Sequence, residues 1–338
     1  MFKIEHEAIQ LTYGELSIFN ESQILPLVIQ PKKDGSNNVL NLAEDRVQIE
    51  KLVSQYGAIL FRGYEVGCKE VFNNFIDQVS EGAIQYNERS SPRHSVFKNI
   101  FTSTDHPEDQ EIIQHSEQSY NKQFPQKIFF YCEQPSEVGG NTPLADARKI
   151  YQRIPKEIRD VFEEKNYRYS RCFWQIMGTT WQTAFQTESK EAVAHYCDNN
   201  DIHFEWQSDD ALKTYQIRPT TAYHPSTNEA CWFNHCTFFN VYSLDDDIQE
   251  ILLDSFEPDE LPNQTFYGDG EQIEFEVIQQ LKQAYIDEKV DFDWQKGDVL
   301  MIDNMLVTHG RQSYKGHRKL LVGMSTITQW SDVQTKQL

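Results

Sequence analysis

The sequence predicts a mainly β fold that carries a large helical insertion. Short apolar runs bounded by glycine, proline or turn residues are typical of buried strands. Such runs lie near both ends of the chain, at 57–63, 128–132, 299–302 and 318–324. Between the two groups, apolar residues recur at spacings of three and four, which is typical of amphipathic helices. We therefore expect an all-β core interrupted by one long insertion.

The first half of the chain supplies two strands and a helix. The run 57–63 lies between two glycines and predicts a strand, and the helix expected at 68–80 places Val71, Phe72, Phe75, Ile76 and Val79 on one face. The run 128–132 predicts a second strand, which Pro135 and the Gly139-Gly140 turn bring to an end.

The second half supplies two helices and then returns to strands. Proline is favoured in the first turn of a helix, and Pro155 stands at the start of the helix expected at 155–165. A second helix is expected at 274–288, where apolar residues again recur three and four apart. After a turn at Gly297-Asp298, the runs 299–302 and 318–324 predict the last two strands.

Composition limits the class of protein. The 338 residues include 31 basic and 52 acidic side chains, a formal net charge of −21. A polyanion is repelled by such a chain, so nucleic acid is not an expected partner. The N-terminal residues resemble no secretory signal, and no apolar run approaches the length of about 20 residues that spans a membrane. We expect a cytoplasmic protein with reduced cysteines.

Two internal His-x-Glu pairs are candidate metal ligands, His115-Ser116-Glu117 and His203-Phe204-Glu205. On a strand, residues two apart point to the same face, so either pair could present an imidazole and a carboxylate to one ion. A further histidine would complete the two-His-one-carboxylate triad of non-haem iron oxygenases. Either pair alone could equally be a hydrogen-bonded structural histidine.

The surroundings of the first pair distinguish it. Glu117 is followed 25 residues later by Thr142, within 139–146, and the C-terminal third contains further motifs at 297–304, 308–311 and 314–319. Together they resemble the TauD/TfdA family of Fe(II)/2-oxoglutarate-dependent dioxygenases, and within it the branch that contains the aspartyl hydroxylase of syringomycin biosynthesis. The resemblance extends over about 55–327, and further matches are Tyr120, Arg171, Tyr223-His224-Pro225 and Trp232-Phe233-Asn234.

The resemblance implies a site. His115, Glu117 and His309 would ligate Fe(II), with 2-oxoglutarate and O2 as cosubstrates. Thr142 would hydrogen bond to 2-oxoglutarate, although a turn threonine beside a Gly-Gly pair is the alternative. Arg318 would hold the distal carboxylate of 2-oxoglutarate, because a guanidinium is its natural partner. Neighbouring residues on a strand face opposite sides, so only one of Arg318 and its neighbour Lys319 can do this.

The implied fold is a double-stranded β-helix, or jelly roll, forming a single dioxygenase domain over 1–338. The 192 residues between Glu117 and His309 exceed what such a core needs. A helical insertion at roughly 150–295 is therefore expected to cover the active site.

The implied activity is hydroxylation of an unactivated C–H bond in an amino acid or a derivative of one, free or tethered to a peptidyl carrier protein, in specialised metabolism. Desaturation and epoxidation share the same oxidising chemistry. Halogenases of related fold have a small residue in place of the glutamate, so Glu117 argues against halogenation. Arg171 and Asn234 could contact a polar substrate or be structural. A metal-dependent hydrolase and a non-catalytic jelly-roll binding protein are the alternatives from other classes.

Two other groups could bind a metal. His203 and Glu205 form the second His-x-Glu pair, and Cys231, His235 and Cys236 could be zinc ligands, although they lack the CxxC-type spacing of a closed site. Arg311, two residues after His309, could pair with a carboxylate and brace the strand, or be solvated.

Overall fold

The structure is a computed structural model, which describes residues 9–19, 23–32, 39–85, 94–104, 106–175 and 177–336. The chain divides into two compact units. The first comprises 1–117, 125–147 and 289–328, and the second comprises 118–124, 148–288 and 329–338.

The strands and helices follow one another along both units. The strands are β1 (Gly14–Ser17), β2 (Leu27–Pro31), β3 (Ala58–Phe61), β4 (Ser95–Phe97), β5 (Ile100–Thr102), β6 (Ile112–His115), β7 (Gln123–Gln134), β8 (Val138–Gly139), β9 (Leu144–Asp146), β10 (Tyr167–Phe173), β11 (His203–Trp206), β12 (Leu212–Arg218), β13 (Thr221–Tyr223), β14 (Ala230–Trp232), β15 (Asn263–Tyr267), β16 (Val299–Asp303), β17 (Val307–Arg311), β18 (Tyr314–Lys315) and β19 (Lys319–Gln329). The helices are α1 (Arg46–Tyr56), α2 (Lys69–Val79), α3 (Ala147–Arg153), α4 (Lys156–Lys165), α5 (Trp181–Phe185), α6 (Lys190–Asn199), α7 (Asp246–Ser255) and α8 (Phe275–Glu288).

Every element named from the sequence is confirmed to within a few residues. The predicted strands are β3, part of β7, β16 and the start of β19, and the predicted helices are α2, α4 and α8. Local apolar patterning was sufficient for these elements because each buries an apolar face.

An eight-stranded sheet with the order β1-β2-β3-β16-β7-β19-β5-β4 dominates the first unit. At its centre β16 lies antiparallel to both β3 and β7, so that Leu300 is opposite Leu60 on one side and Phe130 on the other. Alternate residues of these strands face α1 and α2 and form an apolar core, in which the rings of Phe61 and Phe75 meet edge to face at 4.9 Å.

A smaller sheet with the order β6-β17-β9 and the pair β8-β18 complete the first unit. The candidate metal ligands belong to the smaller sheet and to the residues that follow β6.

The helical insertion expected from the sequence is in fact mixed. The second unit holds α4 to α8, but it also contains a four-stranded antiparallel sheet with the order β11-β12-β10-β15. Its strands escaped prediction because many of their buried residues are polar, among them Ser170, Thr214, Gln216, Arg218 and Gln264. A sheet that buries polar side chains lacks the apolar alternation that indicates a strand.

All six cysteines are free thiols in the structure, as expected. Among the described residues, no helix is both long enough and apolar enough to cross a membrane.

Candidate metal centre

Two histidines face each other across neighbouring strands. In the antiparallel pairing of β6 with β17, His115 and His309 are directly opposite, and their ring centroids are 4.6 Å apart. Directly opposite residues on paired strands have their side chains on the same face. The pairing of two segments almost 200 residues apart therefore places both imidazoles together.

Glu117 joins them although it lies beyond the end of β6. Its main chain is held by Asn304, which accepts a hydrogen bond from the Glu117 N–H and donates one to the Glu117 carbonyl, each at 2.8 Å. The same amide also donates to the carbonyl of Pro125 at 2.8 Å. The next residue, Gln118, has a φ of 53° and turns the chain away. At Glu117, the buried side chain of Asn304 thus makes the main-chain hydrogen bonds that a neighbouring strand would otherwise make.

The turn that presents Asn304 is itself anchored by charge. Asp303 forms a buried ion pair with Lys127 at 2.8 Å, and Lys127 also contacts Glu50 at 2.9 Å. Burial by itself would lower the pKa of Lys127, but Asp303 and Glu50 outweigh it and raise that pKa. Lys127 is therefore a permanent cation that fixes the turn.

His115, Glu117 and His309 form a candidate metal centre. Each offers one ligand atom, and these atoms all lie within 4.8 Å of one another; His309 Nε2 is 4.0 Å from Glu117 Oε2. His115 Nδ1 is 2.9 Å from the carbonyl of Ile113, which can only accept, so the proton is assigned to Nδ1 and the lone pair to Nε2. Two imidazoles and one carboxylate are the ligand set that suits Fe(II).

Close packing of the main chain behind the ligands depends on Gly310. A Cβ atom at this position would lie 2.5 Å from the carbonyl oxygen of Ile112. Since that oxygen belongs to the main chain of β6, it could not move aside without shifting the strand that ends in His115. The glycine therefore lets β17 approach β6 closely enough to bring the two histidines together.

Arg318 lies just before β19 and turns toward the loop that contains Gly140. Its Nε donates to the carbonyl of Gly140 at 2.9 Å, and its guanidinium lies 5.5 Å from the centroid of the Tyr314 ring. Burial, together with the positive charge of Arg311, lowers the pKa of Arg318 to about 10. No carboxylate among the described residues forms an ion pair with it, so its two terminal nitrogens can receive an external anion.

Lys319, the other candidate anchor, takes a different direction. It is an exposed side chain, and its Nζ forms an ion pair with Glu133 at 2.9 Å. Of the two adjacent cations, Lys319 is therefore already paired, whereas Arg318 has no ion-pair partner in the described part of the chain.

Thr142 is buried, with 2% of its surface exposed. Its Oγ1 accepts a hydrogen bond from the indole Nε1 of Trp294 at 3.1 Å. Arg318 contacts the segment that carries Thr142, because the residue that accepts its hydrogen bond, Gly140, is two positions before Thr142.

Arg311 neither pairs with a carboxylate among the described residues nor is solvated, the two alternatives that the sequence left open. Its guanidinium donates to three main-chain carbonyls, those of His106, Pro107 and Gln110. Burial lowers the pKa of Arg311. It therefore fixes the loop before β6 through carbonyl groups rather than through an ion pair or solvent.

Both suggested substrate contacts lie in the second unit. Arg171, on β10, lines a cavity of about 370 Å³ together with Arg168, His203 and Lys213. Asn234 is buried, and its amide donates to the carbonyl of Thr220 at 2.9 Å and accepts from the N–H of Cys236 at 2.9 Å. These bonds support the structural interpretation of Asn234.

The other metal candidates do not assemble. Within the described residues, no second group of three histidine, cysteine or carboxylate side chains lies close enough to share an ion. His203, on β11, stacks on the ring of Tyr215 at 4.5 Å, and His235 Nδ1 lies 2.8 Å from the hydroxyl of Ser119.

The roles of two residues in this region were missed from the sequence, those of Asn304 and Trp294. Asn304 ends the motif 297–304 but was given no role of its own, and Trp294 resembles an ordinary apolar residue before a turn. Their partners are 187 and 152 positions away, so no local pattern could have identified them.

Asn304→Ala should weaken metal binding about tenfold, in the range found for groups that orient metal ligands. It should also lower the free energy of unfolding by about 3 kcal/mol, because it removes three buried hydrogen bonds, one from the Glu117 N–H and two to the carbonyls of Glu117 and Pro125. Metal titration and urea unfolding would measure the two effects. Asn73→Ala is the matched control, since Asn73 is a buried asparagine of the same unit that bonds to Asp77. Equal metal affinities in both variants would contradict a positioning role for Asn304.

Comparisons with known proteins agree with the chemistry of this centre. The sequence matches the family described as taurine catabolism dioxygenase TauD, TfdA family, over residues 24–324. Dapdiamide synthesis protein DdaC of Enterobacter agglomerans is 37% identical over 276 residues, which are 82% of this chain and 84% of that protein.

Solved structures show the same fold at low sequence identity. PvcB, described as an Fe, alpha-ketoglutarate dependent oxygenase from an isonitrile synthetic pathway, matches with a TM-score of 0.54 and 12% identity over 92% of this chain and 91% of its own. AAD-2, solved in complex with Mn(II) and N-oxalylglycine, matches with a TM-score of 0.55 and 11% identity over 94% of this chain and 98% of its own.

Proposed function

The chain belongs to the TauD/TfdA family of dioxygenases, and from this premise we propose that it hydroxylates an unactivated C–H bond of an amino acid or an amino-acid derivative in specialised metabolism. The protein is a 2-oxoglutarate-dependent non-haem iron dioxygenase. The observation that carries the proposal is the meeting of His115, Glu117 and His309 at one point of the first unit.

The residues of the chain divide the work between them. His115, Glu117 and His309 would hold Fe(II). Arg318 and Thr142 would hold 2-oxoglutarate through charge and hydrogen bonding. When bound, the metal, 2-oxoglutarate and O2 supply the oxidising power that breaks the C–H bond. Glu117 fills a position that a halogenase would need for chloride, which favours hydroxylation.

Several finer features belong to the same proposal. We propose that the two sheets of the first unit are the walls of a double-stranded β-helix. Four further points stay predictions. They are that the chain is one dioxygenase domain, that its insertion covers the metal centre, that the protein is cytoplasmic and that Arg171 contacts the substrate. The substrate is a small molecule, presented free or on a peptidyl carrier protein.

Turnover assays would test the proposal with a panel of amino acids, each supplied free and as a thioester on a carrier protein. Succinate should form only when Fe(II) and 2-oxoglutarate are both present, and the accepted substrate should gain one oxygen atom by mass spectrometry. Loss of two hydrogens would indicate desaturation instead. Turnover without 2-oxoglutarate would favour a metal-dependent hydrolase and reject the proposal.

A further inference from the structure

The hydrogen bond between Trp294 and Thr142 restricts what the threonine can do. An indole N–H can only donate, so Thr142 Oγ1 must be the acceptor in this contact. A hydroxyl group has a single hydrogen, and here that hydrogen must point elsewhere. Among the described residues, no group accepts it, although Thr142 is buried. The oxygen of this buried hydroxyl thus has its partner in Trp294, while its hydrogen has none among the described residues, which leaves the hydrogen for an acceptor from outside the chain.

We propose that Trp294 is a positioning residue that makes the Thr142 hydroxyl a dedicated donor to a carboxylate oxygen of 2-oxoglutarate. This inference rests on the proposed function, since it takes 2-oxoglutarate as the ligand beside Thr142. It adds a chemical requirement, because the ligand atom that meets the hydroxyl must be an acceptor. A carboxylate oxygen satisfies this requirement and an ammonium group does not.

The surroundings of Trp294 keep its ring in place. The ring of Phe292 meets it edge to face at 4.8 Å. The neighbouring residue Asp293 accepts a hydrogen bond from the side chain of Asn141 at 3.0 Å. Two consecutive residues, 141 and 142, are thus bonded to two consecutive residues, 293 and 294. The hydroxyl of Thr142 is therefore fixed before any ligand arrives, and a preorganised donor binds more tightly than a mobile one.

A double-mutant cycle on the full-length protein would test the inference. Binding of 2-oxoglutarate to the Mn(II)-loaded protein, which does not turn over, would be measured by calorimetry for wild type, Trp294→Phe, Thr142→Val and the double variant. We expect affinity to fall about fivefold in Trp294→Phe and about tenfold in Thr142→Val, in the range of a single hydrogen bond. The double variant should also lose about tenfold, because the indole acts only through the hydroxyl. Affinity for Mn(II) itself should not change.

The control variant is Trp174→Phe, which removes an indole N–H that donates to the carbonyl of Glu260 at 2.9 Å in the second unit. It should leave the affinity for 2-oxoglutarate unchanged. If Trp294→Phe does not fold, the donor role still requires Thr142→Ser to keep the affinity and Thr142→Val to lose it.

The possible failures differ from one another. A wild-type protein that does not bind 2-oxoglutarate would overturn the proposed function together with this inference. If the Trp294→Phe variant binds 2-oxoglutarate as tightly as the wild type does, the positioning role alone would be overturned. The positioning role would also be overturned if the double variant lost the product of the two single losses in affinity, since Trp294 would then act independently of Thr142.

Discussion

His115→Ala should lower the affinity for Fe(II) more than about 100-fold, since even groups that only orient metal ligands are worth about 10- to 100-fold. It should also abolish succinate formation. The loss follows because two donors remain where three side chains face one point. His115 is partly exposed, so its removal should cost little folding stability and the metal effect can be measured in a folded protein.

The chain supplies its own control for this experiment. His203 belongs to the other His-x-Glu pair, lies on β11 in the second unit and stacks on Tyr215. His203→Ala should leave metal affinity and turnover as they are in wild type. The same comparison applies to Glu117→Gln and Glu205→Gln. If His115→Ala bound Fe(II) as tightly as His203→Ala, the assignment of the metal centre would be wrong.

Arg318→Leu should weaken the binding of 2-oxoglutarate at least about 30-fold, because losing one partner of a desolvated charge pair costs about 2 kcal/mol or more. Metal affinity should stay unchanged, since Arg318 is not among the ligands. The expectation depends on a guanidinium that has no carboxylate partner among the described residues and whose Nε is already bound to Gly140. Calorimetric titration of the Mn(II)-loaded protein would measure the effect.

Two further variants separate charge from geometry. Arg318→Lys keeps the charge but not the two parallel N–H groups, so it should recover only part of the affinity. Lys319→Met removes the adjacent cation, which already pairs with Glu133, and should change the affinity less than about twofold, as for an exposed ion pair. A large loss in Lys319→Met together with a small loss in Arg318→Leu would assign the anchor to Lys319.

The elements of the β core were predictable because their burial is apolar. Strands such as β3 and β16 bury every residue, and α2 buries one face, so each shows its structure as a local pattern. The sheet of the second unit was not predictable on the same ground. Its strand β12 buries Thr214, Gln216 and Arg218, and Arg218 is satisfied by the carbonyls of Tyr120 and Asn200 rather than by apolar packing.

The candidate site was predictable only in part. The order and spacing of the motifs favoured His115 over His203 and pointed to His309. The geometry around Glu117 differs from the expected one, because β6 ends at His115 and the glutamate is held by Asn304 instead of by strand pairing.

The sequence by itself determined the chemistry available to this protein: two imidazoles, a carboxylate, a guanidinium and a hydroxyl in the order typical of one family. The tertiary structure alone decided what each of them contacts. It gave Lys319 an ion-pair partner and Arg318 none among the described residues, and it brought Asn304 to Glu117 and Trp294 to Thr142. The physical reason is that side-chain identity and local periodicity are properties of neighbouring residues. Hydrogen bonds and ion pairs between segments more than 150 positions apart exist only once the sheets have formed.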